Sequence, residues 1–186
     1  EAVGKDVTGF APGDEVYGSC GATSSGSFAE FGLARANRLA NWLRETAGIG
    51  KGDRVAMLAL DGVEHLDVLF ACGKLGAIHT ALNWRLHWRG LQQILAEVTP
   101  SVLVYDDTFQ DSVAQLAREE TPVRHWVHLD GTGIPGGLHF GDLLDAAPAT
   151  PCVCETLVEE DIAAIVFTGG TTGLSKGAQI SHRQIA

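Results

Sequence analysis

The strongest chemical pattern in the sequence is a segment near its C-terminus that is rich in glycine and hydroxyl side chains. Residues 168–177 contain four glycines, three threonines, one serine and one lysine. Glycine allows the backbone to approach a ligand and to point successive N–H groups into one concavity, short hydroxyls add donors, and lysine adds a positive charge. We therefore predict that this segment binds a polyphosphate. The predicted binding residues are Thr168, Gly169, Gly170, Thr171, Thr172, Gly173, Leu174, Ser175, Lys176 and Gly177.

The residues before this segment would hold it in place. The apolar run 162–167 is rich in β-branched residues and predicts a buried strand that leads directly into the loop. The loop differs from the P-loop of nucleoside triphosphatases, because Ser175 precedes Lys176 instead of following it. A glycine-rich surface hairpin without a ligand is the alternative interpretation of the same residues.

Residues 167–177 resemble the phosphate-binding motif of the AMP-forming adenylating enzymes, a superfamily of acyl-CoA synthetases, luciferases and peptide-synthetase adenylation domains. That motif is an aromatic residue followed by Thr-Ser/Gly-Gly-Thr-Thr-Gly-x-Pro-Lys-Gly, and the one departure here is Ser175 in place of proline. The runs RANRLANWLRE, FACGKLGAIHTALNWRL and ILAEVTPSVLVYDD extend the resemblance over residues 35–186. Asn83-Trp84-Arg85-Leu86, together with Gly169, is most similar to the fatty-acid–CoA ligase branch.

The resemblance implies a two-step reaction. A carboxylic acid, expected to be a fatty acid, attacks ATP to form an acyl-adenylate and pyrophosphate, and the acyl group then passes to coenzyme A. The implied cofactors and co-substrates are ATP, Mg²⁺ and coenzyme A. In that scheme Thr168, Thr171 and Thr172, with the loop N–H groups, hold the β- and γ-phosphates, and Lys176 helps to neutralise them.

The remaining machinery of such an enzyme is expected beyond Ala186. It includes the acidic magnesium ligand, the ribose and adenine contacts and the hinge, so we expect neither a catalytic residue nor a metal ligand within the chain. The chain starts without methionine, and it stops just inside a helix for which Ser181 and Gln184 predict a capping box. We therefore expect a fragment that is inactive by itself.

Alternation of strand and helix patterns predicts an α/β fold. We expect part of the large N-terminal domain of an adenylating enzyme, with a mostly parallel sheet flanked by helices and preceded by a short β-rich segment. The predicted strands lie near residues 54–59, 77–82, 101–105, 123–129 and 162–167, and the predicted helices near 39–47, 63–74, 88–98 and 109–119.

Residues 1–34 have a different character. They are rich in glycine-containing turns and resemble the catalytic barrel of medium-chain alcohol dehydrogenases and quinone oxidoreductases, whose pattern VEAVGxxVxxFxPGDxVxG…GxFAEY they largely match. The run SFAEF at 27–31 predicts a strand. We predict two parts: an oxidoreductase-like segment 1–34, from a true fusion or an artefact, and a truncated ligase domain 35–186. The alternatives are an NAD(P)-dependent oxidoreductase fragment and an inactive chimeric or truncated product.

The amino-acid composition limits the classes of binding partner that we expect. The chain of 186 residues has 23 acidic and 13 basic residues, a net charge of −10 that disfavours nucleic acid and anionic membranes. No apolar run reaches the length of a membrane span. The expected partner is a small carboxylic acid, and the oligomeric state is not predicted. The cysteines at 20, 72, 152 and 154 lack metal-ligand or disulfide-framework spacing, so we expect free thiols and a cytoplasmic location.

Three further patterns are weaker. Residues 131–136 spell G-x-G-x-x-G, but Pro135 and the short run that follows favour an exposed loop over a dinucleotide site. His125 and His128 would point to opposite faces of one strand, which disfavours a metal site. His182 falls where adenylating enzymes carry a histidine near the nucleotide, although a plain role in the first turn of a helix is the alternative.

Overall fold

The computed structural model of the protein describes residues 27–168 and 176–185. The strands are β1 (Arg54–Leu58), β2 (Ile78–Ala81), β3 (Val102–Tyr105), β4 (His125–His128), β5 (Leu138–His139), β6 (Ile162–Thr168) and β7 (Lys176–Ser181). The helices are α1 (Ser27–Glu45), α2 (Val63–Leu75), α3 (Trp88–Val98), α4 (Gln110–Leu116), α5 (Phe140–Ala146) and α6 (His182–Ile185), with a 3₁₀ turn at Asp107–Phe109.

These strands form one sheet in the order β5-β4-β3-β1-β2-β6-β7. Strands β1 to β6 pair in parallel, and β7 alone pairs antiparallel, with β6. Helices connect most of the parallel strands, as parallel crossovers usually require, whereas β4 and β5 are joined by a loop. The predicted α/β fold with a mostly parallel sheet is therefore confirmed.

The core lies on both faces of the sheet. On one face α1, α2 and α5 pack their apolar sides, represented by Leu39, Val68 and Leu143, against Val55 and its neighbours. On the other face α3 and α4 cover the alternate residues of the same strands. Every residue of β3 is buried, which explains why the central strands read as continuous apolar runs and not as alternating patterns.

The helix ends follow the residues that predicted them. Helix α2 ends at Gly76, whose φ of 67° is left-handed and whose N–H donates to the carbonyls of Cys72 and Gly73. At the start of α6 the Gln184 side chain accepts a hydrogen bond from the Ser181 N–H at 2.8 Å. This confirms the Gln184 half of the predicted capping box.

The strand predicted at residues 27–31 is wrong, because these residues begin helix α1. The alternating pattern in SFAEF covers only five residues and favours a strand weakly. Extension of the neighbouring helix through these residues is more favourable, because Ala, Glu and Leu are good helix formers and extension needs no new nucleation. Helix α1 consequently runs across the predicted boundary between residues 34 and 35. Two strands were not predicted: β5, which has only two residues, and β7, whose first residues had been assigned to the phosphate loop.

A polar stripe on α1 holds the irregular connection that leads towards β6. The Asn37 and Asn41 amides donate to carbonyls of residues 148–150 at 2.9–3.0 Å. Arg38 donates to the Ala147 carbonyl, and Arg44 lies 2.9 Å from the Cys152 sulfur. Side chains of one helix thus satisfy backbone carbonyls of a segment that has no ladder of its own.

Candidate functional site

The predicted polyphosphate segment lies on the hairpin of β6 and β7. Thr168 is the last residue of β6 and pairs with Lys176, the first residue of β7. Residues 169–175, seven of the ten predicted binding residues, lie outside the residues that the structure describes. The backbone of Thr168 and the residues Lys176 and Gly177 are described. The assignment of the ten residues to phosphate binding stays a prediction.

The hairpin opens at the edge of the sheet where the parallel strands end, which we call the carboxyl edge. Strands β1 to β4 and β6 run in one direction, so the segments that follow them all leave the sheet at this edge. In open α/β sheets ligands bind outside the carboxyl ends of strands. The fold therefore places Thr168 and Lys176 where the sheet architecture favours a ligand site.

The segment after β2 lies directly beside this hairpin. Ala81 of β2 pairs with Val166 of β6, and two residues further along each chain are Asn83 and Thr168. The Asn83 side chain accepts a hydrogen bond from the Arg85 N–H at 3.0 Å, and the Arg85 guanidinium carbon lies 4.2 Å from the centre of a Trp84 ring. At the level of sequence, these residues indicated only a family branch. Their position immediately after a predicted strand was the available signal for a place at the site.

Acidic and basic side chains occupy different parts of the carboxyl edge. Carboxylates follow three strands: Asp61 follows β1, Asp106 follows β3 and Asp130 follows β4. The cations Arg85 and Lys176 belong instead to the segments next to β2 and β6, which are neighbours in the sheet. An anionic ligand is therefore favoured on the β2–β6 side of this edge.

Gly177 has a packing role that the motif alone does not show. It pairs with Phe167 across the hairpin, and a Cβ atom on Gly177 would lie 2.9 Å from Cγ2 of Ile165 and 3.3 Å from Cζ of Phe167. A side chain at this position would collide with the strand that carries the loop. The close approach of β7 to β6 thus requires glycine at the end of the segment.

His182 lies at the opposite end of β7 from Lys176, and the expectation that it sits near the nucleotide stays a prediction. Ser181 pairs with Ile162 at the start of β6, which is six residues, or about 20 Å along a strand, from Thr168. The His182 side chain faces Gly73 of α2, and among the described residues its buried Nε2 has no hydrogen-bond partner. His182 is the first residue of α6, as the alternative interpretation held.

The remaining histidines do not build a metal site. His125 packs edge-on against Trp42 on one face of the sheet, whereas His128 packs against Tyr105 on the other. Among the described residues no group of three or more histidine, cysteine, aspartate or glutamate side chains could hold a metal ion. The prediction that these histidines face apart is confirmed.

The G-x-G-x-x-G run is a turn between β4 and β5 and not the start of a helix. Gly131, Gly133 and Gly136 all have left-handed φ values, between 62° and 80°. A Cβ on Gly133 would lie 2.3 Å from the His128 ring, so the backbone passes too close to that ring for any side chain. The loop interpretation is confirmed, and the glycines have a structural reason.

Three buried ionisable groups with shifted pKa values, Asp67, Cys72 and His79, belong to the core. Burial, with a contribution from His65, lowers the pKa of His79 to about 4. Burial raises the pKa of Asp67, although its ion pair with Arg35 opposes the shift. Burial also raises the pKa of Cys72 to about 12. These shifts describe groups held neutral or paired by the fold, and they contribute to its dependence on pH.

Comparison with known proteins defines the class to which this fold and loop belong. The family model of AMP-binding enzymes matches residues 11–186, and the chain therefore belongs to the AMP-binding enzyme family. The match includes residues 11–34, which lie in the segment that resembles an oxidoreductase barrel. The predicted adenylating-enzyme family is confirmed.

The individual relatives are CoA ligases. Over 148 residues the chain is 36% identical to feruloyl-CoA synthase from an Amycolatopsis species, a match that covers 80% of this chain and 27% of that protein. It is 33% identical over 153 residues to the long-chain-fatty-acid–CoA ligase of Thermus thermophilus, a match that covers 81% of this chain and 27% of that protein. The crystal structure of the anthranilate CoA ligase AuaEII in complex with anthranoyl-AMP superposes on this chain with a TM-score of 0.77 at 28% identity. The superposition covers 82% of this chain and 29% of that one. The chain thus spans between a quarter and a third of the length of these relatives.

One further property bears on the predicted partners. No helix within the described residues has the length and apolar character needed to cross a membrane.

Proposed function

We propose that the protein of which these residues form a part is an ATP-dependent, AMP-forming acyl-CoA ligase. The observation that supports the proposal is the pairing of Thr168 with Lys176 at the carboxyl edge of the sheet, because these two residues bound the glycine- and threonine-rich segment. The names of the relatives support a carboxylic acid as substrate and coenzyme A as acceptor. They differ in the acid, and we propose a fatty acid on the resemblance of residues 83–86 to the fatty-acid–CoA ligase branch.

In this proposal residues 168–177 hold the β- and γ-phosphates of ATP. Backbone N–H groups of the loop and the hydroxyls of Thr168, Thr171 and Thr172 donate to phosphate oxygens, and Lys176 balances charge. Their contribution is to orient pyrophosphate as a leaving group and to stabilise its charge. Magnesium would arrive with ATP, and its protein ligands would lie outside the described residues, among which no suitable acidic cluster exists.

Titration of MgATP into the 186-residue chain tests the phosphate assignment. We expect millimolar affinity in the unsubstituted chain and its loss in the Lys176→Ala and Thr171→Ala variants. Lys74→Ala is the matched control, because it removes the same charge from the last turn of α2, at the other end of the sheet. Unchanged affinity in both loop variants would favour the alternative, an inert product without a nucleotide site.

The chain alone is proposed to lack adenylation activity, since the groups that bind ribose, adenine and magnesium would be missing. Incubation with MgATP and a panel of carboxylic acids, with detection of acyl-AMP by mass spectrometry, measures this directly. Formation of any acyl-AMP would contradict the proposal. A cytoplasmic location is part of the same proposal, since ATP and coenzyme A are available there.

The oxidoreductase origin of residues 1–34 stays a prediction. Contiguous sequencing of the coding region upstream of residue 31 tests it. A complete barrel in the same reading frame would support a fusion, whereas reads that separate near residue 31 would mark the segment as an artefact.

A further inference from the structure

We propose that Cys154 is a site of reversible oxidation and that Cys152 resolves it by forming a disulfide bond with the oxidised sulfur. Formation of this bond releases the Cys152 sulfur from Arg44 of α1. The inference concerns the connection that leads towards β6, and it does not depend on the proposed function.

The two sulfurs differ in their access to solvent and are separated by one residue of the chain. Cys152 is 1% exposed and packs in the apolar cluster that contains α1 and α2, whereas Cys154 is partly exposed. The Cys154 sulfur lies 3.5 Å from the hydroxyl oxygen of Thr156, and a Cβ atom on Gly76, at the end of α2, would be 3.4 Å from it. A small oxidant in solution therefore reaches Cys154 and not Cys152.

The buried sulfur of Cys152 faces a positive charge. Nη1 of Arg44 lies 2.9 Å from this sulfur. The guanidinium is held in place by its other donors: Nε donates to the Glu45 carboxylate at 2.8 Å, and Nη2 donates to the side-chain oxygen of Asn41 at 3.0 Å. A cation in contact with a cysteine sulfur balances the charge of the thiolate, which is the form that attacks another sulfur. The contact thus suits Cys152 to the role of the resolving thiol.

The chain between the two cysteines has room to bend. In an extended chain two residues span about 7 Å, which is at the upper limit of the Cα separation in a disulfide. The residue between them, Val153, is 73% exposed, and residues 151–154 have no regular secondary structure. A bend at Val153 therefore moves no core side chain at that position. The contact that the bend breaks is that of Cys152 with Arg44.

The reaction balances with a peroxide as the oxidant. The Cys154 thiolate attacks one oxygen of hydrogen peroxide, the O–O bond breaks, and a sulfenic acid and hydroxide are formed. The Cys152 thiolate then attacks the Cys154 sulfur, so that the S–S bond forms, the S–O bond breaks and a second hydroxide leaves. The two hydroxides take up the two protons that the thiols released, which gives two molecules of water. A dithiol such as dithiothreitol reduces the bond and restores both thiols.

Arg38 provides a matched control for Arg44. Both arginines lie on α1 and hold the same connection, but Nη1 of Arg38 donates to the carbonyls of Leu144 and Ala147 instead of a sulfur. Arg44→Gln and Arg38→Gln therefore remove the same charge from the same helix, and only the first removes it from Cys152. In the same sample the fully buried Cys72 reports on unfolding, because reagents reach it only when the chain opens.

The experiment is oxidation of the folded 186-residue chain with hydrogen peroxide at neutral pH, followed by alkylation in denaturant, trypsin digestion and mass spectrometry. Trypsin releases both cysteines in one peptide, residues 125–176, which contains no other cysteine. We expect this peptide to lose two hydrogens and to take up no alkyl group, and we expect dithiothreitol to reverse the change. Cys154→Ser should abolish the disulfide.

The arginine variants test the role of the cation through the rate of disulfide formation. Arg44→Gln should slow this rate about tenfold, whereas Arg38→Gln should change it less than about twofold. Arg44→Lys should restore most of the rate, because it keeps the positive charge. A purely structural role of Arg44 would not separate the glutamine variant from the lysine variant in this way.

Three results would overturn the proposal. If Cys154 proceeds to sulfinic acid while Cys152 is still alkylated in full, the two sulfurs do not react with each other. If the disulfide forms only where Cys72 is oxidised as well, it is a product of unfolding. If Arg44→Gln and Arg38→Gln react at the same rate, the cation does not activate Cys152. None of these results bears on the proposed CoA ligase.

Discussion

Thr168 and Lys176 face each other as the last paired residues of β6 and β7, and they close the loop of residues 169–175 between them. The two ends of that loop are fixed on neighbouring strands, so the remaining loop is short and its closure costs little entropy. The same pairing places the lysine of the motif next to its first threonine. The glycine-rich segment is therefore bounded by two paired strands, and the ligand-binding role that we predict for it requires β7 to stay packed against β6.

Gly177 should not tolerate a side chain. Because a Cβ atom would lie 2.9 Å from Ile165, we expect Gly177→Ala to lower the free energy of unfolding by about 1–2 kcal/mol. Urea denaturation followed by far-UV circular dichroism measures the change. Gly32→Ala in α1 is the control, since nothing lies within 4 Å of its Cβ position, and it should stabilise the chain slightly. A Gly177→Ala variant as stable as the parent would contradict the packing argument.

His79 should make the fold sensitive to mild acid. Its pKa is about 4 in the folded chain against an ordinary value of 6.5, so the unfolded chain binds the proton first as the pH falls. Above pH 6.5 His79 is neutral in both states and does not lower the free energy of unfolding. Between about pH 6.5 and 4 the free energy of unfolding falls by about 3 kcal/mol in total, because only the unfolded chain gains this proton. Urea denaturation at pH 7.5 and pH 4.5 measures this loss.

His79→Leu should remove most of that pH dependence, because no group at this position then gains a proton on unfolding. His139→Gln is the control, since the His139 side chain is 39% exposed. If His79→Leu does not fold, His65→Gln is the second variant. The His65 ring lies 6.2 Å from that of His79 and helps to lower its pKa, so the pKa of His79 should rise when this ring is removed. The pH range over which stability is lost should then be narrower. An unchanged pH dependence in these variants would assign the acid sensitivity to other groups.

The ion pair between Arg35 and Asp67 should join α1 to α2. Nε and Nη2 of Arg35 both donate to Oδ2 of Asp67, at 2.9 and 2.6 Å, and the aspartate side chain is only 4% exposed. Arg35→Met would leave a buried carboxylate without its cation, and we expect a loss of about 3 kcal/mol in the free energy of unfolding.

A double-mutant cycle with Asp67→Asn measures the coupling of this pair. We expect the double variant to be more stable than the sum of the two single losses predicts, because the neutral amide no longer needs the arginine. Strictly additive losses would show that the two side chains do not stabilise each other.

The cysteines of the described residues should differ in reactivity. Cys72 is fully buried and burial raises its pKa to about 12, whereas Cys154 is partly exposed. At pH 8 iodoacetamide should modify Cys154 within minutes and Cys72 only after unfolding, because alkylation needs an accessible thiolate. Peptide mapping by mass spectrometry after short and long exposure identifies the sites. Rapid modification of Cys72 in the native chain would show that α2 opens readily.

Local patterns predicted most of the elements. The apolar periods of α2 and α3 and the stop signals at Gly76 and Thr99 predicted both helices to within one or two residues. The strand predicted at residues 27–31 is wrong, because a short alternating run does not reveal that the adjoining helix extends through it. Closeness in sequence also did not reveal that β7 carries His182 to the other end of the sheet from Lys176.

The sequence by itself determined that residues 168–177 suit a polyphosphate and that strands alternate with helices, because both properties reside in residue types and their spacing over a few positions. Only the tertiary structure decided that β2 lies beside β6, and hence that the segment carrying Arg85 leaves the sheet beside the end of β6. Strand neighbours are chosen by hydrogen bonds and packing between segments far apart in the chain. A period of two within one strand carries no information about which strand will pair with it.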